Sequence, residues 1–203
     1  MTDASDHPVF TIGHSTRTLA EFTALLQESG VTMVVDVRSI PRSRTTPQFN
    51  GDTLGAALSV YGIAYCQLPA LGGRRHHRKG APPSTNLFWR VEAFRNYADY
   101  AQTDSFRDGL EALRALARAH RCAIMCAEAV WWRCHRRIIS DYLLAGGTPV
   151  AHILRPGHLV PATLTAGAHV MAGGGVRYPA PPSDPAGQLH GDVGGRAARA
   201  RHE

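Results

Sequence analysis

Apolar positions recur along this chain in two alternating styles, and the alternation predicts the fold. Val9-Phe-Thr-Ile-Gly13 is a short β-branched and aromatic run of strand length. From Thr18 to Ser29 the period becomes helical, with Leu19, Phe22, Leu25 and Leu26 on one face and Gly30 as the stop. Thr18 or Thr16 is the expected N-cap, and Glu21, three residues after Thr18, completes a capping box. Val31 to Val37 reads as a second strand, whose unbroken apolarity predicts burial on both faces, as in a parallel sheet. A helix from Asp52 to Tyr61 closes at Gly62, and Ile63 to Leu68 supply a third strand. Helices are expected around Val91 to Gln102 and Ser105 to His120. A strand opening at Cys122, a helix from about Trp132 to Ala145 with a Gly146-Gly147 stop, and a last strand from Pro149 to Leu154 follow.

Five strands alternating with helices predict an α/β domain, a three-layer sandwich around a mainly parallel five-stranded sheet, Rossmann-like, with a strand order such as 3-2-1-4-5. Residues 1–8 read as an N-terminal extension and 9–155 as the domain. Residues 156–203, rich in Gly, Pro and Ala, read as a flexible tail, with Leu159 to Leu164 able to add a short edge segment. Residues 69–90 stand apart as an irregular stretch too long for an ordinary connection, which marks a functional or disordered loop.

Composition narrows the function more than the fold. A chain of 203 residues with 44% hydrophobic content can bury one substantial core. A formal charge of +6 and a pI near 9.5 favour anionic partners. Cysteines 66, 122, 126 and 134 do not have the spacing of a secreted disulfide framework, and the N-terminus lacks the basic and apolar regions of a signal peptide. The expectation is a cytoplasmic protein with reduced thiols. No apolar stretch approaches the length of a membrane span, so no membrane role is expected. Neither a Gly-x-Gly-x-x-Gly nor a phosphate-loop lysine motif occurs, which disfavours nicotinamide and ATP cofactors.

The most unusual segment is Cys126-Ala-Glu-Ala-Val-Trp-Trp-Arg-Cys-His-Arg-Arg137, where a strand hands over to a helix. Strand C-termini and the helix N-termini that follow them form the ligand crevice of open α/β sheets. Arg133, Arg136 and Arg137 conflict there with the helix dipole, each by roughly 0.3–1 kcal/mol if exposed, and a bound anion would remove the conflict. With the expected strand order, Gly13-His14-Ser15, Asp36-Val-Arg38 and Leu71-Gly-Gly73 converge on the same edge. His14 could bind phosphate or transfer a proton, or it could close a local turn; Ser15 could contact a ligand or cap the next helix. Asp36 shares its side of the pleat with Arg38, and could anchor that arginine or serve the ligand. Arg38, Arg42 and Arg44 form a basic rim suited to phosphate or carboxylate.

Glu128, if buried near the tryptophans, would have a raised pKa and act as general acid or base; paired with Arg133 or Arg136, it would only orient them. Cys126 is a candidate nucleophile among cations, or else an inert small residue, whereas Cys66 and Cys122 read as core. Trp131 and Trp132 could stack on a ring or divide between core and pocket wall. Cys126, Cys134 and His135, with His14, have the ligand types for zinc or iron. The seven residues between the cysteines fit no short metal knuckle, however, and adjacent Cys134 and His135 cannot easily reach one ion. No metal ligand is therefore assigned.

These residues also form an ordered set of motifs: Thr11-Ile-Gly-His-Ser15, Asp36-Val-Arg38 with Pro41 and Ser43, Leu71-Gly-Gly73, Tyr97-Ala-Asp99, and Cys126-Ala-Glu128 with Cys134-His-Arg136. Over about residues 9–155 the set resembles domain-of-unknown-function family 488, a bacterial and archaeal family. The resemblance implies a compact α/β domain and supports Arg38, Cys126, Glu128, Cys134, His135 and Arg136 as its site. It carries no reaction over.

The expected function is therefore an enzyme, a hydrolase or group transferase, acting on a small anionic substrate such as a nucleotide or nucleic-acid component. His14, Cys126 and Glu128 would be its catalytic residues. Ser15, Asp36, Arg38, Gly72, Gly73, Cys134, His135 and Arg136 would bind the substrate. The alternatives are a non-catalytic nucleic-acid-binding module using Arg74, Arg75, Arg78 and Lys79, and a metal-dependent hydrolase with Cys and His ligands.

Overall fold

The alternation of periods is realised in a computed structural model that describes residues 7–77 and 80–182. In chain order the main elements are β1 (Val9–Gly13), α1 (Leu19–Glu28), β2 (Met33–Asp36), α2 (Gly51–Ser59), β3 (Ala64–Gln67), α3 (Glu92–Tyr100), α4 (Asp104–Ala119), β4 (Cys122–Cys126), α5 (Arg136–Ala145), β5 (Val150–Arg155) and β6 (His158–Pro161). Two short strands, β7 (His169–Val170) and β8 (Val176–Arg177), form a separate hairpin. The capping box opens α1 as predicted: the Glu21 amide donates to Thr18 Oγ1, and the Thr18 amide donates to the Glu21 carboxylate.

Period-two alternation sorts the strand side chains onto two faces. Phe10, Ile12, Val34, Ala123 and Met125 point toward Phe22, Leu25 and Leu26 of α1 and Leu54 and Leu58 of α2. Val9, Val35, Cys122, Ile124 and Cys126 point the other way, toward Tyr97, Phe106, Leu113, Ile138 and Leu143 of the remaining helices. A mostly parallel sheet between two helical layers is thus the three-layer α/β sandwich expected. Its order is β3-β2-β4-β1-β5-β6, with the first five strands parallel and β6 antiparallel on β5.

The order 3-2-1-4-5 is corrected by one exchange, in which β4 lies between β2 and β1. Both exchanged strands are buried along all five residues, so the hydrophobic pattern does not distinguish the two orders. The chain winds toward β3 with α1 and α2 on one face and returns with α3, α4 and α5 on the other, as crossovers of a single hand require. β1 and β4 are neighbours in either order, and their register pairs Gly13 with Cys126.

Two further expectations change. The helix expected from Trp132 starts only at Arg136, after a single 3-10 turn over Trp131–Arg133 and an extended Cys134. The stretch after 155 is not a flexible tail as far as residue 182. Val176 and Tyr178 are buried in the core, Tyr178 Oη and the Thr165 amide both donate to Asp141 on α5, and Tyr142 Oη donates to the Val176 carbonyl. Few apolar residues do this anchoring, so composition understated it. The remainder of the predicted tail and the first six residues lie outside the described residues. Within 80–90 the irregular loop is also fixed: Asn86 is wholly buried, donating to Asp99 and accepting from the Tyr178 amide.

Candidate functional site

At the C-terminal edge of β1, β2 and β4 the backbone opens a cleft of about 540 Å³. Close approach of β1 to the loop after β4 creates it: the His14 and Ser15 amides donate to the carbonyls of Cys126 and Ala127. Gly13 is required at that crossing, since a Cβ there would lie 1.8 Å from the Glu128 carbonyl oxygen. His14, Ser15, Arg38, Gly73, Cys126, Glu128 and His135 line the cleft, with Ser39, Arg42, Ser43 and Arg74. Four sequence-distant motifs therefore meet there as expected. Asp36, Gly72, Cys134 and Arg136, expected to touch substrate, stand behind the wall.

The α1/α2 side of the cleft is built around Asp36, which is fully buried at the end of β2. Arg38 Nε donates to both Asp36 oxygens at 2.9 and 3.1 Å, and Nη2 donates to the Phe49 carbonyl at 2.7 Å. Tyr65 Oη donates to the same carboxylate, and burial with that negative charge nearby raises its phenol well above the ordinary value. Arg38 Nη1 lies 3.2 Å from His14 Nε2. A guanidinium can only donate, so Nε2 accepts, and the proton sits on Nδ1, which donates to the Ser15 carbonyl. Burial first, then the Arg38 charge, holds the His14 pKa below its usual value. With both ring nitrogens engaged and the ring stacked on Phe49, His14 fixes Arg38 in place; the proton-shuttle role expected for it has no free nitrogen. Of the five guanidinium hydrogens of Arg38, one on Nη1 is left without a partner among the described residues.

The α3–α5 side has different chemistry. Arg136, the first residue of α5, is 1% exposed, yet no carboxylate pairs with it among the described residues. Its Nε and its backbone amide donate to Cys134 Sγ at 3.0 and 3.3 Å, and Nη2 donates to the Glu128 carbonyl at 2.7 Å. The extended backbone of Cys134 turns the sulfur back onto the start of the helix. Cys126 Sγ lies 3.3 Å from Cys134 Sγ. Burial opposes ionisation of both sulfurs. At Cys134 the Cys126 hydrogen bond, then the adjacent His135 side chain and the Arg136 charge, outweigh it and hold the thiol well below the usual range, while burial and the neighbouring sulfur push Cys126 well above it. The dipole conflict anticipated for Arg136 is met by a sulfur of the chain itself, which sequence spacing did not reveal.

Glu128 is exposed at the rim rather than buried near the tryptophans as expected, and only its backbone carbonyl meets Arg136. His135 Nε2 donates to the Val37 carbonyl at 2.8 Å, and its Nδ1 faces Gly73, where a Cβ would come within 2.4 Å of it. Gly72 packs on Ser39 just behind this lip. Arg75 is committed to the Gly72, Pro69 and Ala70 carbonyls and to the Tyr100 ring. Arg74 is exposed at the cleft, and Arg78 and Lys79 lie outside the described residues. Among the described residues no group of three or more His, Cys, Asp or Glu is placed to hold a metal ion.

Sequence reasoning missed the support behind Arg136. Thr11 Oγ1 is 2.8 Å from His152 Nδ1 and within reach of Arg136 Nη1, and His152 stacks on Trp131. Trp132 is exposed. Isolated polar residues within strands, Thr11 in β1 and His152 in β5, were the available signal.

Fold and cleft together define a class, an α/β domain with a basic, thiol-walled cleft at its strand C-termini. The chain belongs to the family described as Domain of unknown function DUF488, whose model matches residues 18–143. Comparison with curated proteins and with solved structures yields no significant match. No helix among the described residues is long and apolar enough to cross a membrane.

Proposed function

We propose that the protein is a cytoplasmic enzyme, a hydrolase or group transferase, that takes a small anionic substrate such as a nucleotide or nucleic-acid component into the cleft. One observation carries the reading: Arg38 is held rigidly by Asp36, Phe49 and His14 while lining an open cleft. A preorganised guanidinium loses little freedom on binding an anion, and charge-assisted hydrogen bonds to phosphate or carboxylate are the strong ones. Arg42 and Arg74 add positive charge at the rim, while Glu128 is the only carboxylate lining the cleft among the described residues. In this reading Cys126 supplies the nucleophile and Glu128, in contact with solvent, exchanges protons with substrate or water.

Nucleic-acid binding without catalysis draws less support, because Arg75 is already spent on the fold. The test is a thermal-shift and calorimetric screen of nucleoside phosphates, sugar phosphates and carboxylates. A hit should disappear in the charge-neutral double variant Asp36→Asn/Arg38→Gln and weaken in Arg74→Ala. Full affinity in the double variant would overturn the assignment of the cleft. Turnover of the bound compound, followed by chromatography, should be lost in Cys126→Ser.

A further inference from the structure

Arg136 poses a problem that the anion-binding reading does not use. A buried guanidinium without a counter-charge costs several kcal/mol, and among the described residues the only ionisable group in hydrogen-bond contact with it is Cys134 Sγ. That sulfur also receives the first backbone N–H of α5, where the helix dipole favours negative charge. Cys126 Sγ, 3.3 Å away, cannot carry a second negative charge beside it, so the two sulfurs share one proton. Only one of the pair faces the cleft: Cys126 lines it, and Cys134 and Arg136 stand behind. The thiol in contact with the cleft therefore rests protonated and requires a base, and the nearest one is the neighbouring sulfur.

We propose that Cys134, held as a thiolate by Arg136, accepts the Cys126 proton as Cys126 attacks an electrophilic carbon or phosphorus centre in the cleft. A bond forms between Cys126 Sγ and the electrophile, the leaving group departs with the electron pair of its broken bond, and the S–H proton crosses to Cys134 Sγ. Negative charge passes from Cys134 to the leaving group, and no oxidant or metal is consumed. The Glu128 amide, which donates to Cys126 Sγ at 3.3 Å, holds the sulfur during the transfer. The inference rests on Cys126 being the cleft nucleophile. Its test uses a neutral reagent, so it stands or falls separately from anion binding.

Iodoacetamide is that reagent. At pH 7 the folded protein should be alkylated first at Cys126, identified by peptide mass spectrometry, with iodide released and Cys134 unmodified. Cys134→Ser should slow this alkylation about tenfold or more and shift its pH–rate profile upward, whereas Cys134→Asp, which restores an anion beside Arg136, should recover part of the rate. A purely structural Cys134 would leave rate and profile unchanged in Cys134→Ser, and that outcome overturns the proposal. So does preferential labelling of Cys134, or no labelling of either cysteine. If Cys134→Ser does not fold, thiolate absorbance of the unmodified protein decides. Burial raises both Cys66 and Cys122, so the protein should show one thiolate of its four cysteines at pH 7, and absence of that signal contradicts the pairing.

Discussion

Arg38 and Arg136 are both buried, lie on opposite faces of one sheet edge, and differ in what neutralises them. Arg38 has the carboxylate that ends β2, two residues before it, and the pair is completed by Tyr65 and His14. Arg136 has a sulfur, also two residues away, and is completed by the carbonyl of Glu128 and by Thr11. Each guanidinium has a buried histidine beside it whose pKa is lowered first by burial and further by the positive charge, Arg38 acting on His14 and Arg136 on His152. The carboxylate pair needs no further anion for its stability, so its spare hydrogen is available to a ligand. The sulfur pair is enclosed, and its reactivity is passed to Cys126. Two similar i, i+2 pairs thus serve binding on one side of the cleft and thiol chemistry on the other.

The largest effect is expected at the carboxylate. Asp36→Asn leaves Arg38 buried with no counter-charge and should cost about 3–5 kcal/mol in urea denaturation at pH 7; a loss under about 1 kcal/mol would mean that Arg38 is effectively solvated. Next in size is the acid response of the Arg136 side. His152 is neutral in the fold, its pKa lowered to about 4 chiefly by burial and then by Arg136, whereas its unfolded value is 6.5. Folding excludes a proton there, so this contribution is complete above about pH 6.5, declines as pH falls toward about 4 and is flat below. The loss is at most about 3 kcal/mol. His152→Phe, which can keep the stack on Trp131, should flatten stability against pH across that window.

Cys134→Ser removes the proposed counter-ion of Arg136 but keeps a hydroxyl acceptor, so about 2 kcal/mol should be lost at pH 8. A loss of a few tenths would show that the sulfur is a neutral packing group and that the two arginines are not analogous. The smallest effect is expected at the lip. Gly73→Ala should cost about 1 kcal/mol, since the ring of His135 can shift, and the His135 resonances should move while those of His14 stay in place.

Much of the architecture is readable from periodicity, because the helices α1 to α5 and the strands β1, β2, β4 and β5 each bury one side or both. Leu19, Phe22, Leu25 and Leu26 locate α1, and Thr18 with Glu21 locates its start. What periodicity lacks is pairing information: β1 and β4 have equivalent patterns and exchange places in the sheet. Composition misled at the C-terminus, where Thr165, Val176 and Tyr178 fix an otherwise small-residue segment onto α5. In the site, strand ends identified His14, Arg38 and Cys126, since position after a buried run determines which edge a residue reaches. The inner placement of Cys134 and Arg136 depends on one extended residue at the start of a helix, and residue spacing does not encode that break.

The most direct test is a crystal structure with a nucleoside monophosphate bound. Its phosphate should lie within hydrogen-bond reach of Arg38 Nη1, between His14 and His135, with the Cys126 sulfur facing the ligand. Phosphate seated instead on the exposed arginines away from the strand ends, with the cleft filled only by solvent, would contradict the account.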